Sequence, residues 1–297
     1  MKKEKTRKHT LTEKHSIVSA VLFSIAGFVA IQLLMLLINF IISLIFKGYP
    51  YDRGPVGVII SSVLVLWLYK RWFKPDFKGA LKGGEYKSVW IVVGIYIIFL
   101  VVTSISDMIF SEERLVMPGI SELFLALLAG VTEETAFRGL MIPVLVRKNS
   151  KKSVIIAILT SSIVFGIAHG SNILAGADPM HSLLQVINSV FVGAALSALY
   201  LISGNILIPM LVHFLHDVLA FSHESVSSSS GVLSGGVEIS SVIDMGIALV
   251  MFVVVLFYVT RSQNTEKIQK LWEKKWQRNI DSNSVPAEKN DFGEEEA

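Results

Sequence analysis

Two adjacent carboxylates and a guanidinium, Glu133, Glu134 and Arg138, interrupt an apolar stretch that runs from Ile120 to Val146. An ionised side chain at the centre of a membrane helix costs about 2.5 to 3.5 kcal/mol on insertion scales, so three in one span demand partners. Glu134 and Arg138 stand four residues apart, share a helical face and are expected to pair. Glu133 points about 100 degrees away from that face and is left for another partner. Two further apolar stretches offer such partners: Phe165 with His169, and His213 with Asp217, each pair at the same spacing. A carboxylate one turn from an imidazole holds it in a defined tautomer or joins it on a metal. His216 reads as packing or secondary support.

Two chemistries fit this set. In one, Glu133 is the general base that takes a proton from water, His169 assists, and His213 with Asp217 orients or stabilises the oxyanion of a peptide hydrolysis intermediate. In the other, Glu133, His169 and His213, with or without Asp217, bind a divalent metal such as zinc that lowers the pKa of bound water. The H-E-x-x-H signature is absent, and the three side chains fall on separate stretches with no diagnostic spacing. The chain has no cysteine, which excludes a thiol nucleophile and a Cys-type metal site.

The elements that must position these groups lie in membrane. Hydrophobic residues make up 52% of the chain and charged ones 17%, with mean hydropathy +0.59, too apolar for a soluble domain of this length. Apolar runs at 17–46, 55–73, 88–110, 119–146, 152–170, 182–202, 205–222 and 240–260 predict an all-α polytopic protein of about eight transmembrane helices. Six Lys and Arg residues precede the first run and seven follow the last, six of them within 261–278, while 171–181 and 223–239 have none. Both termini are therefore expected in the cytoplasm. Counted from the cytoplasmic ends, Glu133 lies about 20 Å deep, His169 about 25 Å and His213 about 12 Å, a spread too large for one site. Pro209 is expected to bend the seventh span near its start.

The chain then divides into a basic cytoplasmic N-terminus (1–16), a membrane domain (17–260) with a motif-bearing core (119–222), an amphipathic helix (261–280) and an acidic tail (281–297). Ile268, Leu271, Trp272 and Trp276 share one face of the amphipathic helix, which is expected to lie on the cytoplasmic leaflet. The acidic tail is expected to be disordered. The serine-rich 222–230 and the glycine-containing 231–236 read as a flexible external loop.

Glu133-Glu134-x-x-x-Arg138, Phe165-x-x-x-His169 and His213-x-x-x-Asp217, in this order and each on its own apolar span, resemble the CAAX prenyl endopeptidase and bacteriocin-processing family, also called CPBP or Abi. The resemblance covers about residues 119–222. It implies an eight-helix intramembrane protease with Glu133, His169 and His213 as catalytic residues and Asp217 at a position the family fills with Asn or Asp. Glu134, Arg138 and Phe165 would support them. The family is commonly labelled metalloprotease, and a metal-free, glutamate-dependent mechanism is also argued for it. The expected partners are membrane lipid and a membrane-associated peptide or protein, with no nucleic acid, and the expected location is a bacterial cell membrane. A second reading is a non-catalytic bacteriocin immunity or scaffold protein; a third is a proton-coupled transporter, against which the absence of a recognisable repeat weighs.

Overall fold

The computed structural model describes residues 14–73, 76–84, 87–111, 113–148, 150–225, 232–233 and 237–276. The acidic tail and nearly all of the basic N-terminus lie outside the described residues. In chain order the helices are α1 (Ser16–Ile45), α2 (Pro55–Trp72), α3 (Lys87–Phe110), α4 (Ile120–Glu134), α5 (Met141–Leu145), α6 (Lys151–His169), α7 (Pro179–Ser203), α8 (Leu207–Ala220), α9 (Ile239–Thr260) and α10 (Ser262–Lys275). Two antiparallel strand pairs accompany them, β1 (Glu113–Leu115) with β2 (His223–Ser225), and β3 (Val232–Leu233) with β4 (Val237–Glu238). Part of the expected external loop is thus a strand.

Six helices, α1, α2, α3, α6, α7 and α9, are long and apolar enough to cross a membrane. Their backbone groups bond within each helix, as a span through hydrocarbon requires. The protein is a polytopic, mainly helical membrane protein. Of the other two expected spans, α8 is a 14-residue helix. The second is a composite: α4, a six-residue π-helix at Thr135–Leu140, α5, and a short 3-10 turn at Val146–Lys148. Pro143 gives the physical reason for the irregularity, because it lacks the N–H that would bond Gly139 and its ring crowds that carbonyl. Outside groups take up carbonyls of the widened turn: Tyr69 Oη donates to Leu140 O at 2.6 Å and Ser161 Oγ to Phe137 O at 2.8 Å.

Helix surfaces follow membrane logic. On α1, Ala20, Ser24, Gly27, Ile31, Met35 and Asn39 face the protein, whereas Leu22, Ile25, Val29 and Leu33 face outward. The small and polar Ala20, Ser24, Gly27 and Asn39 thus all face the bundle, joined there by Ile31 and Met35. The most apolar window of α7 is 72% buried against 17% for α1, which identifies α7 as the central helix. It packs between α6 and α9, while α8 packs on α4. Gly130 sets the last approach: a Cβ there would stand 2.9 Å from Met210 O and 3.0 Å from Phe214 N on α8.

The turn joining α7 to α8 is covered by protein. Gly84 N donates to Ser203 O (2.9 Å), Ile206 N to Ala80 O (3.1 Å), and Lys275 Nζ to Gly204 O (2.6 Å). Helix α8 therefore begins beneath α10 and the 76–84 segment. Glu133, His169 and His213 line one cavity, so the expected spread of depths does not keep them apart. Pro209 sits in the first turn of α8, where its missing N–H has no intrahelical partner, so it starts the helix instead of bending it. Helix α10 spends its apolar face on the bundle and not on a lipid surface: Ile268 and Trp272 are buried, and Trp272 Nε1 donates to Leu201 O at 3.0 Å.

Gly130→Val should force α4 away from α8 at a cost of about 1 to 3 kcal/mol. A lowered thermal unfolding midpoint in detergent would record it. Gly94→Val, where nothing lies within 4 Å of the added Cβ, should leave that midpoint near the wild-type value.

Candidate active site

Helices α4, α6, α7 and α8 enclose a cavity of about 290 Å³ whose wall includes Glu133, Phe165, His169, His213, His216 and Asp217. All four residues expected to be catalytic, from three separate stretches, thus border one space. Glu134 and Arg138 form the wall behind it, both fully buried.

The central contact is a shared carboxylate. Glu134 Oε1 accepts from Arg138 Nη1 at 2.6 Å and from His213 Nδ1 at 2.9 Å. The expected pairing of Glu134 with Arg138 is present, and the second role of Glu134 as the anchor of His213 was not foreseen. Arg138 is satisfied on its other sides too. Its Nη2 donates to Gly193 O at 3.0 Å, its Nε reaches Ser197 Oγ at 3.5 Å, and its guanidinium lies 4.3 Å from the centre of the Phe165 ring. Gly193 makes room for this: a Cβ there would stand 3.0 Å from Arg138 Nη2 and from the Phe165 ring.

The hydrogen-bond partners assign the imidazole tautomers. A carbonyl only accepts, so His169 carries its proton on Nδ1 and donates it to Phe165 O at 3.0 Å. His213 likewise donates from Nδ1 to Glu134. In each ring Nε2 is the nitrogen left for chemistry. His213 Nε2 stands 3.6 Å from Asp217 Oδ2, beyond hydrogen-bond length, so Asp217 acts on it through charge. Phe165 packs edge-on to both imidazoles, with ring centres 4.7 Å from His169 and 5.7 Å from His213. Glu133 and Glu134 each have an Oε2 without a hydrogen-bond partner among the described residues, but Glu133 is half-buried and lines the cavity, whereas Glu134 is fully buried behind it.

Sequence reasoning missed three contributors. Gln185 and Asn188 on α7 line the same cavity, and Asn188 Oδ1 is buried without a partner. Two amides three residues apart in an apolar span were the available signal. Tyr96 Oη bonds His216 Nδ1 at 2.8 Å, and Phe99 stacks on that ring, so His216 is held from α3.

The donor set for a metal does not converge here. Among the described residues, the group of three whose ligand atoms lie within 4.8 Å of one another is Asp107, Glu113 and His223, away from this cavity. Glu133, His169 and His213 are not drawn that close, and His213 Nδ1 is already engaged by Glu134. The Glu133, His169 and His213 set expected as metal ligands borders one cavity without closing to that distance.

Arg138→Ala would leave Glu134 buried without its guanidinium and should cost about 3 to 5 kcal/mol, read as a lower thermal midpoint. Replacing both members, Glu134→Leu with Arg138→Met, should lose less, because no charge is then stranded.

Comparison with known proteins finds no match among curated proteins and none among solved structures. A family model does match, over residues 117–219, the segment that carries all three motifs; its description is Rce1-like, type II CAAX prenyl endopeptidase Rce1-like. The segment that carries the three motifs is therefore similar to the type II CAAX prenyl endopeptidases.

Proposed function

We propose that the cavity is the active site of an intramembrane endopeptidase that hydrolyses a peptide bond of a membrane-associated protein or peptide. The observation that carries this reading is the half-buried Glu133 carboxylate lining one cavity with His169 and His213. Glu133 takes a proton from water as the water attacks the scissile carbonyl. His169, fixed at Nδ1 by Phe165 O, uses Nε2 to pass protons between water and the leaving amine. His213 and Asp217 face the developing oxyanion. In the protonated ring, Nε2–H of His213 donates to that oxygen, and Glu134 steadies the ring from behind. The Asn188 amide stands on the same wall and orients the peptide group.

Each step uses groups held by protein hydrogen bonds or buried carboxylates, so little reorganisation accompanies the reaction. The basic residues at both ends of the chain support termini on the cytoplasmic side of the membrane.

The test uses purified full-length protein in liposomes with membrane-anchored reporter peptides, prenylated and unprenylated, and product analysis by mass spectrometry. Glu133→Gln and His169→Ala should each lower turnover by about 10² to 10⁴-fold with the thermal midpoint retained. Turnover at the wild-type rate in Glu133→Gln overturns the assignment. A wild type that cleaves neither reporter but protects cells from a bacteriocin, with Glu133→Gln equally protective, favours the immunity reading. Stoichiometric zinc in the purified protein, lost in His169→Ala, would bring metal chemistry back.

A further inference from the structure

A cavity larger than the proposed active site lies away from it, at the end of the bundle that α10 covers. It measures about 760 Å³, and six of its fourteen lining residues are lysines, with no acidic residue among them. Lys78 comes from one wall, the 76–84 segment, and Lys82 from the same wall; Lys267, Lys270, Lys274 and Lys275 come from the facing helix α10. Among the described residues, the side chains of Lys78, Lys82, Lys267, Lys270 and Lys274 have no carboxylate within ion-pair distance. Ammonium groups gathered on two facing walls with low-dielectric material behind them create a strongly positive potential and repel one another unless an anion joins them.

Lys275 shows how built this cleft is. It is buried, and its Nζ donates to Lys82 O and Gly204 O, each at 2.6 Å, which ties the two walls to the start of α8. Burial without a countercharge pushes its ammonium down to about 7. The polar wall also has an apolar side, formed by Ile202, Ile268 and Leu271. Ile202 ends the span α7, and Tyr258 stands two residues from the end of α9. The cleft therefore opens where two membrane spans end, at headgroup level.

We infer that this cleft binds the phosphate of an anionic phospholipid, with the lysines on the headgroup and the apolar side against the glycerol and upper acyl chain. The chemistry recognised is a phosphate group; the position at the ends of two spans selects the lipid as its source over a soluble phosphate. Basic pockets between membrane helices are a known physical route to headgroup recognition. A bound headgroup supplies the countercharge that Lys275 lacks and braces the turn from which α8, the helix of His213, departs.

Native mass spectrometry of the full-length protein from mixed micelles tests this, with phosphatidylglycerol, phosphatidylcholine and inorganic phosphate as probes. Wild type should retain phosphatidylglycerol and not phosphatidylcholine. The variant Lys78→Gln/Lys270→Gln/Lys274→Gln, which leaves structural Lys275 intact, should retain it about tenfold more weakly. Lys148→Gln/Lys151→Gln/Lys152→Gln removes the same charge outside the cleft and should retain it as wild type does. Equal loss in both triple variants, no loss in the first, or equal retention of the two lipids overturns the inference. Uptake of inorganic phosphate through the same lysines with no preference between lipids overturns the lipid assignment.

Discussion

The structure depends on keeping a fully buried guanidinium satisfied. Arg138 has no exposure to solvent, and a charge taken out of water at that depth is tolerated only when its donors and its countercharge are all met. Glu134 supplies the charge, Gly193 O and Ser197 the remaining acceptors, and Phe165 a face for the guanidinium plane. These partners come from α4, α6 and α7, so the ion fixes three helices against one another. His213 joins from α8 through the second bond to Glu134 Oε1. The same carboxylate that neutralises the arginine thus aims an imidazole into the cavity.

That arrangement needs close helices and an irregular one. Gly130 lets α4 meet the backbone of α8, and Gly193 leaves space for the guanidinium on α7. The π-helix at Thr135–Leu140 contains Arg138 and follows directly on Glu133 and Glu134. Inserted wide turns of this kind occur at functional sites because they re-aim side chains without ending the helix. Here the widened carbonyls are claimed by Tyr69 and Ser161, hydroxyls from neighbouring helices, so the irregularity is held by tertiary contacts.

The two polar features sit on one mechanical line. The lysine cleft, the turn at Ser203–Ile206 and α8 follow one another, with Lys275 bonded to Gly204 O and His213 two turns further along. Gly204 holds a positive φ of 63 degrees there, a conformation that suits glycine and that ends α7 so the chain can turn inside the protein. Helix α10 packs Ile268 and Trp272 on the bundle and closes this turn. Its position explains how a 14-residue helix carries chemistry at the depth reached by longer spans.

Much was legible from the chain because the lipid environment restricts the choices. Eight apolar runs announced helices, and mid-membrane Glu133, Glu134, Arg138, His169, His213 and Asp217 announced groups that need partners across helices. The spacing of four between Glu134 and Arg138 sufficed to foresee their pairing, because helical geometry is local. What only the tertiary structure decided was which group meets which across helices. That His213 bonds Glu134 and leaves Glu133 unpartnered, that Asn188 and Gln185 share the wall, and that α8 starts beneath α10 all depend on distances between segments far apart in sequence. Those distances are set by glycine contacts, a proline-induced π turn and a capped loop, none of which has a periodic signature.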